Sequence, residues 1–328
     1  MLSGRGPAWW AKHLLSVTVL VGVAWLVWAQ ARRHWASVSK FHIALSWPEL
    51  GAACLLCLAA YLLETRAWQR ALNATVGRHE MSFGDSIATA NTSNLLKYLP
   101  GRVWSYGAQM MWLGKRGVSK GRVVYVNLAC LLCSLLVSTL LGGAYLIVYI
   151  GPPGWGFLSW PALAFGLATG LMVGPRVLAA SIDVFRRLSG RDIELTQTPP
   201  RVMLELGGIY VVSWGLIGAA GYYAALGVGL LVTPRDVTGI TASMSVAWAI
   251  GYLSALTPGG LGVREGLMSV MLGKVSSPES ALVLPIVSRL LYLSIEVLLG
   301  VIGLAIGFRR GLFTKTDAEG GARESSSS

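Results

Sequence analysis

Leu256-Thr-Pro-Gly-Gly-Leu-Gly-Val-Arg-Glu-Gly266 interrupts a hydrophobic run near the C-terminal end of the chain. Pro258 removes a backbone donor, and Gly259, Gly260 and Gly262 loosen the helix, so the backbone must change direction here. Arg264 and Glu265 then stand where apolar residues are expected. A broken helix carrying opposite charges inside apolar sequence is how membrane transporters build a substrate site.

The rest of the chain has the composition such a site requires. Of 328 residues, 54% are hydrophobic and 13% charged. Soluble domains carry about 25% charged residues, so an all-α polytopic membrane protein is expected. The net charge of +12 fits basic loops lying beside anionic lipid, and no soluble basic domain points to nucleic acid. The four cysteines form two Cys-Leu-Leu-Cys pairs, Cys54/Cys57 and Cys130/Cys133. Inside apolar helices these read as small buried hydrophobes, so no disulfide framework, metal or cofactor is expected.

Six apolar stretches read as full spans, at residues 14–28, 48–63, 123–150, 155–173, 202–226 and 281–308. The first reads as an uncleaved anchor despite Ala29-Gln30-Ala31. The second closes on a polar edge that begins at Glu64. Gly166, Gly170 and Gly174 mark a close-packing face. Residues 1–310 form one transmembrane domain, and 311–328, with four serines, a disordered cytoplasmic tail. Basic residues cluster at 66–122 and 175–201, which places both termini in the cytoplasm, although Arg32, Arg33 and Lys40 run against that bias.

Between the spans lie two segments that are apolar yet broken. Residues 85–99 form a helix of about 22 Å, short of a hydrocarbon core of about 30 Å, before Pro100-Gly101 interrupts. This arm holds Asn91, Thr92, Ser93, Asn94 and Lys97, which must be enclosed by protein or line a wet cavity. Residues 85–114 therefore read as a re-entrant hairpin. Residues 237–272 repeat the pattern around Pro258, and each break is followed by a Gly-Lys, at Gly114-Lys115 and Gly273-Lys274. Three crossings separate the copies, so they enter from opposite sides as an inverted repeat. Each helix that starts after a break presents unpaired N–H groups and a positive dipole end near the midplane. Arg102 and Arg264 follow the two breaks and suit an anion, phosphate above all. In the last span Arg289, Tyr292 and Glu296 share a face, either as an Arg–Glu lock against a hairpin or as substrate contacts. Glu265 has three open roles: a partner for Arg264, a partner for Arg289, or a carrier of a coupling proton.

Asn94-Leu-Leu-Lys-Tyr-Leu-Pro-Gly-Arg-Val-Trp104, Thr257-Pro-Gly-Gly-Leu-Gly-Val-Arg-Glu265 and Arg289 resemble the lysylphosphatidylglycerol synthase transmembrane family, over about residues 48–308. The resemblance implies a polytopic protein that moves a lipid or lipid-linked molecule between leaflets of the bacterial cytoplasmic membrane. The two-domain synthases also carry a soluble acyl-transfer domain. The stretch after Arg310 is too short for one, so aminoacyl-lipid synthesis is not expected.

Three functions compete. The first is a flippase for a phosphate-bearing lipid or polyprenyl-phosphate precursor, its headgroup held by Lys97, Pro100, Gly101, Arg102, Pro258, Gly259, Gly260, Arg264, Glu265, Arg289, Tyr292 and Glu296. The second is a non-transporting partner or regulatory subunit of a lipid or glycan synthase; the partners expected are membrane lipids, with such a synthase or a homo-oligomer. The third is an intramembrane polyprenyl-dependent glycosyltransferase. Residues 31–47 hold no Asp or Glu, and His13, His34, His42 and His79 lack metal spacing, so an enzyme is disfavoured.

Overall fold

A computed structural model describes residues 44–76, 81–98, 103–149, 198–253 and 262–313, together with the single positions 32, 166, 170 and 176. Among these residues every regular element is helical. Four helices are long and apolar enough to cross a membrane: α1 (Trp47–Val76), α5 (Lys120–Tyr149), α6 (Pro200–Gly227) and α9 (Pro278–Arg309), with shorter helices between them. The chain is a multi-pass membrane protein. The spans expected at 14–28 and 155–173, the tail from 314, and both Pro-Gly breaks with Arg102 lie outside the described residues.

Small side chains set the packing. Along α1 the buried positions Ala53, Cys57, Ala60, Ala67 and Ala71 let α6 approach closely over most of its length. Pro200 starts α6 at its first turn, where a missing N–H costs nothing, and Gly227 ends it beneath Leu50. The Ser46 N–H donates to the Gly227 carbonyl at 2.9 Å, which fastens the start of α1 to the end of α6. Gly166 and Gly170 lie against Leu140 and Leu136 of α5, as a close-packing face predicts. Cys57, Cys130 and Cys133 are buried and Cys54 is exposed, and all four are free thiols.

One boundary differs from expectation. The second apolar stretch does not end at Leu63. Helix α1 runs unbroken to Val76, because Ala67, Trp68, Ala71 and Leu72 continue the buried stripe at helical spacing. Glu64 therefore sits in the middle of a helix rather than at its edge.

The first broken segment begins with α2 (Phe83–Ser86), where the Ser82 hydroxyl accepts from the Asp85 N–H. It continues as a π-turn (Ile87–Asn91), then α3 (Thr92–Leu95) and a 3-10 turn (Leu96–Tyr98). A uniform α-helix was expected over 85–99; the structure winds the arm through three periods instead. Its polar face is enclosed by protein. Asn91 donates to the Thr65 hydroxyl at 3.0 Å, and Ser93 accepts from Gln109, whose carbonyl accepts from Asn127. Gly300 and Gly303 of α9 make room for the arm: a Cβ at Gly300 would meet Leu95 at 2.5 Å, and one at Gly303 the Ile87 carbonyl at 2.7 Å. The second arm is α4 (Val103–Gly114), of 12 residues.

The second broken segment pairs α7 (Asp236–Leu253), of 18 residues, with α8 (Val263–Val275), of 13. At about 1.5 Å per residue these reach roughly 27 and 20 Å, both short of a full crossing of about 30 Å. They pack on one another, and Gly251 lets α7 approach the backbone of Arg264.

At one end of the molecule Asp85 ties the first arm to two other segments. Arg310, just past α9, donates to it at 2.9 Å, and Arg116, after α4, at 3.0 Å. Burial pushes the Asp85 carboxyl up, but the two guanidiniums outweigh it and hold the group below its ordinary value. Phe313 folds back beside Trp112, with ring centroids 4.5 Å apart.

Candidate functional site

A cavity of about 290 Å³ lies between the two broken segments. The first contributes Asn94, Lys97, Ser105 and Tyr106, and the second contributes Trp248, Tyr252 and Arg264. Tyr106 and Tyr252 bring the two units together, their hydroxyls 3.3 Å apart. Helices α1, α5, α6 and α9 complete the wall.

Arg264 reaches the cavity from the first turn of α8. The left-handed turn at Gly262, with φ of 83°, starts this helix inside the protein; a side chain there would be strained. The Arg264 guanidinium lies 4.5 Å from the centroid of the Tyr292 ring, within cation–π range. Among the described residues no carboxylate stands within ion-pair distance of it.

Four neighbouring charges form two pairs: Arg289 with Glu265, one of the partners anticipated for it, and Lys97 with Glu296, which was not anticipated. Arg289 does not pair with Glu296 on its own helix. Its Nε lies 3.8 Å from Glu265 of α8, whereas Glu296 accepts from Lys97 of the first arm at 2.6 Å and from Tyr61 of α1 at 2.7 Å. Residues seven apart share a face of α9, but they sit about 10 Å apart along its axis, so each meets a different neighbour. Two locks join α9 to the two broken segments, in place of the single one anticipated. Glu265 also accepts the Gly262 N–H at 2.7 Å, so the N-terminus of α8 is capped by its own side chain. Arg264, in the same first turn, presents its positive charge to the cavity.

Lys97, Arg264, Arg289, Tyr292 and Glu296 all line the cavity, and Glu265 stands behind it. Arg102, Pro100, Gly101, Pro258, Gly259 and Gly260 fall outside the described residues. Tyr61, Glu64, Asn127, Trp214 and Trp248 are among the lining residues that were not foreseen as site residues. Trp214 and Trp248 stack edge-on at 5.3 Å, and Trp248 packs on Tyr252 at 5.5 Å, forming an aromatic wall. Glu64 faces Ser213 of α6, whose hydroxyl donates to it at 3.0 Å. Its one signal in sequence was the alanine spacing that carries α1 past Leu63.

Residues 13–300 match the model of the lysylphosphatidylglycerol synthase TM region. This chain belongs to that family. No curated protein matches it. In this member of the lysylphosphatidylglycerol synthase TM-region family, both quoted motifs flank the cavity: Asn94 and Lys97 end the first arm, and Val263, Arg264 and Glu265 open α8.

Proposed function

We propose that this family member is a transporter that moves a phosphate-bearing lipid, or a lipid-linked phosphate precursor, between the leaflets of a bacterial cytoplasmic membrane. The observation that carries this reading is Arg264. It is a half-buried guanidinium, set over Tyr292 and facing a cavity inside a multi-pass helical protein, with no carboxylate at ion-pair distance among the described residues. Keeping an arginine in such a place is costly without an anion to meet it. A phosphate offers the guanidinium a bidentate, charge-assisted partner, and acyl or prenyl chains would remain in the bilayer.

In this reading the chain has six full spans, and the two broken segments are re-entrant hairpins of opposite orientation. The short arms and the enclosed polar face of the first support that view. Both termini lie in the cytoplasm, in keeping with the basic residues at 66–122 and 175–201. The process is transport, without covalent chemistry or cofactor, and lipids are the partners, with a homo-oligomer or a synthase in the same membrane as possible company.

The test is leaflet exchange of a panel of labelled phospholipids and polyprenyl phosphates in liposomes holding the purified chain. Exchange of at least one lipid above the rate of empty vesicles is expected. Arg264→Ala should remove it while lowering the melting temperature by only a few degrees, because the substitution forfeits a cation–π contact of about 0.5–2 kcal/mol. Exchange at the empty-vesicle rate for every lipid would defeat this reading and favour the non-transporting partner.

A further inference from the structure

Three carboxylates stand around the cavity, and they are not equivalent. Glu296 accepts from the Lys97 ammonium and the Tyr61 hydroxyl. Glu265 accepts a backbone N–H and faces Arg289. Glu64 lies midway along α1, half-buried, and among the described residues no cation comes within ion-pair distance of it. Its hydrogen-bond partner is a neutral hydroxyl, that of Ser213, which is fully buried.

That hydroxyl serves either protonation state. Ser213 Oγ lies 3.0 Å from Glu64 Oε1 and 3.4 Å from the Ala60 carbonyl. When Glu64 is ionised, Ser213 donates to it. When Glu64 is protonated, its own O–H can donate to Ser213 Oγ, and the serine hydrogen turns to the Ala60 carbonyl. Neither state leaves a buried donor unpaired, which is the usual cost of a titrating group in a helix bundle.

The charged and titratable groups facing Glu64 come from several helices. Lys97 approaches from the first broken segment, Arg264 from α8, and Glu296 and Tyr292 from α9. Tyr210 of α6, Cys130 of α5, and Cys57 and Tyr61 of α1 complete the set. Glu296 neutralises Lys97, so in the empty cavity Arg264 is the cation left to balance Glu64 across the gap.

We infer that Glu64 is a proton-binding site of the cavity, and that it takes up a proton when an anion occupies Arg264. The second half rests on the anion reading given above. An anion on Arg264 cancels the field that favours the Glu64 carboxylate and adds a like charge beside it. A proton from water in the cavity then forms the O–H bond on Glu64, and the cavity returns to the net charge it had when empty. When the anion leaves, the proton returns to water. By linkage, protonation of Glu64 tightens anion binding by the same factor that the anion tightens proton binding.

Infrared difference spectroscopy of the full chain in lipid nanodiscs, titrated with pH, reads the proton directly. A carboxylic-acid C=O band should appear as pH falls, vanish in the isosteric Glu64→Gln variant, and survive in Glu296→Gln and Glu265→Gln. Ser213→Ala should keep the band and move its frequency, since the acid loses its hydrogen-bond acceptor. A band that persists in Glu64→Gln, or one that Ser213→Ala leaves unmoved, overturns the proton site. Dihexanoyl phosphatidylglycerol, a phosphodiester whose single negative charge is constant through neutral pH, serves as the anionic probe, with binding followed by calorimetry. Its dissociation constant should rise by close to tenfold per pH unit where one proton is taken up, and this slope should disappear in Glu64→Gln. An equal slope in Glu64→Gln overturns the coupling. Absence of probe binding at any pH, with the Glu64 band intact, supports the proton site and overturns the anion reading on which the coupling rests.

Discussion

Lys97 was expected to hold substrate, and the structure gives it a protein partner, so its removal separates the two roles. The ammonium and Glu296 Oε1 are 2.6 Å apart. With an effective dielectric of about 20, charges at that distance attract by roughly 6 kcal/mol before costs. The carboxylate of Glu296 is largely shielded, at 10% exposure, whereas Lys97 is 34% exposed and recovers part of its hydration on release. Desolvation of both groups and ordering of the lysine consume most of the gross attraction, leaving about 2 kcal/mol of net coupling. Lys97→Met alone should cost more, about 2–4 kcal/mol, because the shielded Glu296 carboxylate loses its cation. Glu296→Leu alone should cost a similar amount. The double variant should fall short of the sum of the two by about 2 kcal/mol. The assay is unfolding in mixed micelles followed by tryptophan fluorescence, with all four proteins compared as a double-mutant cycle. Additivity within about 0.5 kcal/mol would refute the claim that this pair fastens the first arm to α9. Lys97 would then be available to substrate after all.

Two further outcomes follow from the packing and the charges. Gly303→Ala should destabilise by about 1–3 kcal/mol, since its Cβ would meet the Ile87 carbonyl at 2.7 Å and a backbone atom cannot rotate away. Gly143→Ala, with nothing within 4 Å, is the control and should be neutral or mildly stabilising in the same unfolding assay; equal losses at both positions would discount the close approach of α9 to the arm. Asp85 predicts a specific acid sensitivity. Its folded carboxyl titrates below the ordinary value of about 3.9, so its contribution is fully present above that pH and is lost as pH falls through the folded value. Asp85→Asn should flatten the stability profile in that acid window, and an unchanged profile would show that Arg310 and Arg116 do not depend on it.

Much of this protein was readable without coordinates. The scarcity of charge fixed the environment, because a bilayer rejects unpaired polar groups wherever they occur. Four spans could be placed for the same reason, and the Pro-Gly interruptions marked where helices had to restart. Asn91, Thr92 and Ser93 announced a surface that protein must cover, and the fold covers it. The residues with charge in apolar surroundings were also visible one by one: Lys97, Arg264, Glu265, Arg289 and Glu296.

Partnership was not readable. Helical spacing assigns a residue to a face of its own helix, but the group it meets depends on the depth and rotation of a neighbouring helix. Arg289 and Glu296 share a face and still pair with different segments, at Glu265 and Lys97. Glu64 looked like the end of a span until α6 covered the alanine stripe that extends α1 beyond it. The aromatic wall of Trp214, Trp248 and Tyr252 comes from two consecutive helices, and no helical spacing within either one joins them. The sequence by itself determined that the chain lives in a membrane, where it breaks, and which charges it carries there. Only the tertiary structure decided which charges neutralise one another, and so left Arg264 and Glu64 facing the cavity without an ion-pair partner among the described residues.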